Sequence, residues 1–229
     1  MLEGHELYAI IVAGGKGLRM QTELPKQFIP VAGKPILMHT IERFQKTVPQ
    51  ARLIVVLPRE HLAYWQNLIH QYNFTVPHHL VEGGEERFHS VRNGLSVIDS
   101  DEGLVAIHDG VRPFVATNVI IASYREAALY GNAIASVRPK DSVRWLENDH
   151  NNKPLDRNKC RLIQTPQTFR LKLIRQAFSH PYHPRFTDDA SVLEETGEVI
   201  HLIEGNYENI KITTVEDLKI AEVFATSEL

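Results

Sequence analysis

Three glycines and two separated cations follow the first apolar run of the chain, in the stretch Leu7 to Lys26, LYAIIVAGGKGLRMQTELPK. Ala13 closes the apolar run; Gly14, Gly15 and Gly17 then lack the side chains that would keep an anion off the backbone, and they tolerate positive φ, so successive N–H groups can point at one oxyanion. Arg19 and Lys26 add positive charge. The chemistry that suits such a set is the binding of phosphate, although a plain strand-to-helix turn has the same spelling. The stretch is not a P-loop, because Lys16 is followed by Gly17 rather than Ser or Thr, and not a dinucleotide fingerprint, because Met20 stands where a third glycine is needed. Lys26 favours phosphate: it is held by Pro25 and followed by the apolar Phe28, Ile29, Pro30 and Val31.

Further chemistry-bearing residues recur along the chain. In VEGGEERFHSVRNGL, Gly83 and Gly84 precede a helix expected over Glu85 to Leu95, so its start would face a ligand; the plainer reading is a glycine turn with Glu85 and Glu86 favouring the helix dipole. In LVAIHDGVRP, Asp109 ends an apolar run and Arg112 follows; an acid there can bind a divalent cation or cap a turn that Pro113 completes. His108 beside it is expected to be buried on the strand. Thr187 in FTDDASVLEETG is expected to be the N-cap of a helix over Ala190 to Glu195 that Gly197 stops. Twelve histidines include the pairs His78 with His79 and His180 with His183, but no Cys or acid completes a zinc set around them. Asp99-Ser100-Asp101 spells the acidic pair of a nucleotide-sugar glycosyltransferase, yet it precedes a strand and so belongs to the wrong sheet edge.

The elements that must position these residues alternate. Leu7 to Ala13 is apolar without polar interruption, and Arg52 to Leu57 and the strand of LVAIHDGVRP that ends in Asp109 are mostly apolar, as in parallel strands buried on both faces; the first of them is expected to be central. A short extended piece around Val76 to Val81 and strands at Ala133 to Val137 and Val199 to Ile203 add to them. Helical spacing predicts helices over Pro35 to Lys46, Glu60 to Tyr72, Thr117 to Tyr130, Leu171 to Phe178, and one capped by Thr214 that carries Leu218, Ala221 and Phe224. Alternation of this kind is the βαβ pattern, in which ligands sit beyond the C-terminal ends of the strands. Ser142 to Glu147 and Pro154 to Ile163 flank the polar cluster NDHNN and read as a hairpin with no helix beside it; such an arm cannot bury both faces alone and is expected to pack on a second subunit. The fold class expected is α/β: a single Rossmann-like domain over 1–229 with a mostly parallel central sheet flanked by helices, and a protruding β-hairpin dimerisation arm at about 138–163.

Bulk properties set limits. The 229 residues, 43% hydrophobic and 23% charged, suffice for one sizeable α/β domain. A net charge of −3 argues against a nucleic-acid-coating protein. Apolar runs are strand-length, the start MLEGHELY is unlike a leader, and the lone Cys160 cannot form an internal disulfide; no membrane span and a cytoplasmic location are expected.

AGGKGLRM followed by PKQF resembles the signature of the sugar-phosphate nucleotidyltransferases, and the spacing to Lys26 resembles their cytidylyltransferase branch. GG-E-ER-x-x-S, HD-x-x-RP, DRN, TPQ-x-F, TDD-A and N-I-K follow in order, so the resemblance spans nearly the whole chain. It implies a cytidylyl transfer from CTP to a polyol-phosphate acceptor, methylerythritol phosphate before ribitol phosphate, with release of pyrophosphate and with Mg²⁺ or another divalent cation near Asp109. It also implies residue roles. Ala13, Gly14, Gly15, Gly17, Gly84, Glu85, Arg87 and Ser90 would hold the nucleotide, Glu85 standing where aspartate is usual. Arg19, Lys26 and Lys211 would be catalytic. Asp109, Arg112, Ser142, Arg157, Thr165, Thr187 and Lys211 would hold the acceptor, Ser142 replacing the usual threonine and Arg157 reaching across from the partner of a homodimer. A non-catalytic nucleotide-binding module would not need so many cations.

Overall fold

The computed structural model describes residues 4–14 and 24–227. Gly15, Gly17 and Arg19 of the expected phosphate loop lie outside the described residues. In chain order, β1 (Leu7–Val12) leads to a short 3₁₀ turn at Lys26–Phe28, the small ribbon of β2 (Pro30–Val31) and β3 (Lys34–Pro35), and α1 (Ile36–Thr47). Then come β4 (Arg52–Leu57), α2 (Arg59–Gln71), β5 (His79–Glu82), α3 (Arg87–Ser96), β6 (Leu104–Asp109), α4 (Thr117–Tyr130) and β7 (Asn132–Val137). The hairpin β8 (Val143–Asn148) and β9 (Asn151–Leu155) precedes β10 (Leu162–Arg170), α5 (Leu171–Phe178), α6 (Asp189–Glu194), β11 (Leu202–Glu204) and α7 (Val215–Ser227).

The main sheet has seven strands in the order β11-β7-β10-β6-β1-β4-β5. β1 pairs in parallel with β4 and β6, β4 with β5, and β11 with β7; β10 alone runs antiparallel, between β6 and β7. Period-two alternation along β1 feeds two cores. Leu7, Ala9 and Ile11 pack with side chains of α1, α2 and α4, whereas Tyr8, Ile10 and Val12 pack with those of α3, α5 and α6. A third cluster seats α7 against Val31, Val111 and Phe114. The interior place of β1 and the mostly parallel sheet are as the apolar runs predict.

Several boundaries depart from expectation for identifiable reasons. The helix expected from Glu85 starts at Arg87, because Ser90 Oγ accepts from Gly84 N at 3.1 Å and donates to Glu86 O at 3.2 Å, drawing the preceding residues across the helix end. Thr187 is not the N-cap of α6. Asp188 takes that place, accepting from Ser191 N at 2.9 Å while its own N–H donates to Ser191 Oγ, a reciprocal capping box. Thr214 does cap α7: its hydroxyl accepts from Asp217 N and the Asp217 carboxylate accepts from Thr214 N. The extended piece near Val76 narrows to β5 and the last strand to Leu202–Glu204.

The arm is shorter than expected on its second side. Only Asp149 and His150 make the turn, and β9 ends at Leu155, where the Asp156 side chain accepts from Asn158 N and bends the chain. Leu162 and Ile163 belong instead to β10. The sequence gives no hint of this strand because Pro166 interrupts its pattern, and the register against β7 does shift between Ile163 and Gln167.

Candidate active site

Two cavities meet beyond the C-terminal ends of β1, β5 and β6. The first, of about 380 Å³, is lined by Ala13, Gly14, Lys26, Gln27, the segment from Gly84 to Arg87, Ser90, Asp109, Val111 and Lys211. The second, of about 300 Å³, is lined by Arg112, Gln164, Thr165, Gln167, Thr187 and Asp188. Arg87, Asp109 and Lys211 line both. Such an arrangement gives a polyanion and a second anion separate seats on either side of one charged wall.

Local structure explains each placement. The sheet ladder carries Ala13 and Gly14 to the cavity, since Ala13 N donates to Val56 O and Gly110 N to Val12 O. Lys26 opens the 3₁₀ turn that Phe28 fastens by burying its ring among His61, Tyr64 and Trp65. Gly84 has no room for a side chain: a Cβ there would stand 2.4 Å from His89 Cβ. At Gly14 an added Cβ would meet, among the described residues, only Ser90 Oγ at 3.8 Å.

Charge concentrates on the shared wall. Asp109 is 6% exposed, with Arg112 Nε at 3.1 Å, Lys211 Nζ at 3.1 Å and Arg87 Nε at 3.6 Å from its carboxylate oxygens. Burial alone would raise the Asp109 carboxyl, but the charges of Arg87, Lys211 and Arg112 outweigh it and hold the group well below the usual carboxylate range. Thr165 Oγ1 accepts from Asp109 N at 3.1 Å, and Asn209 clasps the same region, donating to Thr165 O at 2.8 Å and accepting from Arg112 on its own carbonyl at 2.8 Å. His108 is fully buried with Nε2 3.0 Å from Arg112 O, and burial lowers it to about 4, so it is a neutral structural group.

Arg87 has a second partner of its own. Its Nη1 and Nη2 donate to the two oxygens of the fully buried Asp189, both at 2.7 Å. Burial pushes the Asp189 carboxyl up and on its own would push the guanidinium down; the bidentate geometry decides for the ionised pair, and the carboxylate charge holds Arg87 above its ordinary value.

Of the residues singled out in the sequence, Ala13, Gly14, Lys26, Gly84, Glu85, Arg87, Ser90, Asp109 and Lys211 come together around the first cavity, and Arg112, Thr165 and Thr187 join Asp109 and Lys211 at the second. Lys211 does so from a loop. Ser142 and Arg157 do not line either cavity of their own chain: both are exposed, and Arg157 Nη1 donates to Lys140 O at 2.7 Å. Glu208 is also exposed, accepting from Asn206. Asp189, Gln167 and Asn209 stand inside the motifs TDD-A, TPQ-x-F and N-I-K but receive no role from the sequence, and Gln164 lies outside them, because a buried acid or amide has no spacing signature.

A family model described as 2-C-methyl-D-erythritol 4-phosphate cytidylyltransferase matches residues 7–227. The chain belongs to this family. Among curated cytidylyltransferases of that name, the one from Bacteroides thetaiotaomicron is 50% identical over 211 residues, covering 92% of this chain and 95% of its own. That from Porphyromonas gingivalis is 50% identical over 222 residues, covering 96% and 98%. Among solved structures, 4-diphosphocytidyl-2C-methyl-D-erythritol synthase from Anaerococcus prevotii superposes with a TM-score of 0.83 at 28% identity over 98% of each chain. The Francisella tularensis cytidylyltransferase superposes with a TM-score of 0.77 at 33% identity, over 98% of this chain and 100% of its own. Membership fits the sheet edge at which the cavities lie. Among the described residues, no helix is long and apolar enough to cross a membrane.

Proposed function

We propose that this chain transfers the cytidylyl group of CTP to methylerythritol phosphate, giving the diphosphocytidyl alcohol and pyrophosphate, as a step of isoprenoid precursor synthesis. The observation that carries the reading is the wall of Arg87, Asp109 and Lys211 shared by two cavities, within a chain of this family. A phosphate monoester, with a second pKa of about 6, is already an anionic nucleophile at neutral pH, so no general base is needed. The work is electrostatic: the site must cancel repulsion between two anions, align the acceptor oxygen with the α-phosphorus, and stabilise the leaving pyrophosphate. Lys26, with Arg19, would neutralise the triphosphate, and the backbone at Gly14 and Gly84 would let it approach closely. Lys211, Arg112, Thr165 and Thr187 would hold the acceptor phosphate in the second cavity.

A divalent cation is part of this reading. Among the described residues no cluster of three or more His, Cys, Asp or Glu could hold a metal by itself. One buried carboxylate with hard oxygen donors fits Mg²⁺, which is commonly held by one or two carboxylates together with substrate phosphates. Asp109 is the residue that would hold it, once phosphates re-partner the cations around that carboxylate. Bound there, the ion would supply neutralisation of phosphate charge.

We read the arm as a dimer contact. The hairpin leaves Trp145 and Leu146 exposed, at 55% and 71%, on a two-stranded ribbon that does not stand alone energetically. In a homodimer, Ser142 and Arg157 would serve the partner's second cavity. The lone Cys160 accords with a reducing, cytoplasmic setting. The reading is tested by pyrophosphate release from CTP with methylerythritol phosphate and ribitol phosphate side by side. Turnover confined to the first supports it, and turnover confined to the second overturns the acceptor assignment.

A further inference from the structure

Arg87 stands in the wall between the cavities with two carboxylates competing for it. Its forked end is taken by Asp189, at 2.7 Å to each oxygen, and only its Nε faces Asp109, at 3.6 Å. The two helices that meet here serve different cavities. Arg87 opens α3, beside Gly84 and Ser90 of the first; Asp189 opens α6, just after Thr187 and Asp188 of the second. Asp189 cannot follow Arg87 elsewhere, because Gln167 fixes the start of α6 from the sheet: its Oε1 accepts from Ala190 N at 2.8 Å and its Nε2 donates to Asp188 Oδ2 at 2.9 Å.

We propose that Asp189 is a positioning residue for both substrates: by holding the fork of Arg87 it fixes the guanidinium in the shared wall and keeps it from closing on Asp109. A buried ion pair adds little net stability over a well-packed apolar pair, so what this pair chiefly sets is where its charges stand. With the Asp189 charge removed, the nearest anion to Arg87 is Asp109, and a bidentate pair there draws the guanidinium out of the first cavity while masking the carboxylate that faces the second. One change thus perturbs both seats. The inference rests on the reading that the cavities hold nucleotide and acceptor.

The test uses Asp189→Asn, which keeps the shape and removes the charge, in the full chain. CTP affinity is measured by calorimetry without acceptor, the acceptor KM by pyrophosphate release, and folding by circular dichroism and thermal melting. Both constants are expected to weaken by about tenfold to a hundredfold, the scale for displacing a positioning group by about 1 Å. In an Arg87→Gln background the same Asp189→Asn change is expected to add little, because its effect passes through Arg87. Should Asp189→Asn alone fail to fold for want of a partner to the half-buried guanidinium, the pair Arg87→Gln and Arg87→Gln/Asp189→Asn is joined by Arg87→Met/Asp189→Leu, an apolar replacement expected to fold and to bind both substrates weakly. Wild-type constants with only a lowered Tm, or equal losses in both backgrounds, would overturn the proposal. Lack of turnover in the unaltered protein would instead refute the functional reading, and the calorimetric arm would still decide the role of Asp189.

Discussion

Gly84→Ala offers a direct trial of the nucleotide seat. The added Cβ would lie 2.4 Å from His89 Cβ and 3.3 Å from the His89 carbonyl carbon, whereas ordinary contact begins near 3.4 Å, so the loop or the first turn of α3 must give by about 1 Å. Overpacking of this kind costs about 1–3 kcal/mol, a Tm lowered by roughly 2–12 °C in a chain of this size. A shift of about 1 Å in a binding segment lowers kcat/KM for CTP by up to about a hundredfold. The informative comparison is Gly14→Ala, where, among the described residues, the new Cβ meets only Ser90 Oγ at 3.8 Å. Stability is expected to hold there while CTP affinity falls, because the methyl enters the space kept for the ligand. Steady-state kinetics with CTP varied at saturating acceptor, together with thermal melts of both variants, separates the two effects. Unchanged CTP constants in both variants would refute the placement of the nucleotide against these backbone segments.

Lys26→Ala is expected to lower turnover at least about a hundredfold with little change in Tm, measured by pyrophosphate release, the scale for losing one electrostatic stabiliser. His108 carries a pH signature: burial lowers its folded value to about 4, below the unfolded value near 6.5, so the unfolded chain binds more protons between those values. Stability from this residue is complete above about pH 6.5 and falls, by at most about 3 kcal/mol, as pH drops toward 4; urea unfolding should show a shallower decline for His108→Gln. For the arm, Trp145→Lys with Leu146→Lys is expected to shift sedimentation toward monomer. If Arg157 serves the partner, mixing inactive Lys26→Ala and Arg157→Ala proteins should restore activity, and no restoration would count against a shared site.

Much of this architecture is legible in the chain because parallel strands buried on both faces leave mostly apolar runs, as Leu7 to Val12 and Leu104 to Asp109 do. The cations and glycines of the site are legible too, since their chemistry demands particular residue types at strand ends. Three things were not. β10 hides behind Pro166, which suits a strand only because the ladder shifts there. The helix starts near Glu85 and Thr187 turn on local side-chain hydrogen bonds at Ser90 and at Asp188 with Ser191, which no periodicity announces. The Arg87–Asp189 pair joins residues 102 apart in sequence, so only the fold reveals that a guanidinium read as a ligand group also has a buried anchor.

β10 gives the hairpin an unexpected bearing on catalysis. The same nine-residue strand that leaves the arm reaches Thr165, whose hydroxyl receives the Asp109 amide, before passing on to Arg170. Lengthening the ribbon at Asp149 and His150 would alter only how far the chain reaches outward. One extra residue between Leu162 and Thr165 would rotate every later side chain to the opposite face and carry that hydroxyl off its amide. Evolution can therefore remodel the tip of the arm freely, while its root must keep count with the chemistry.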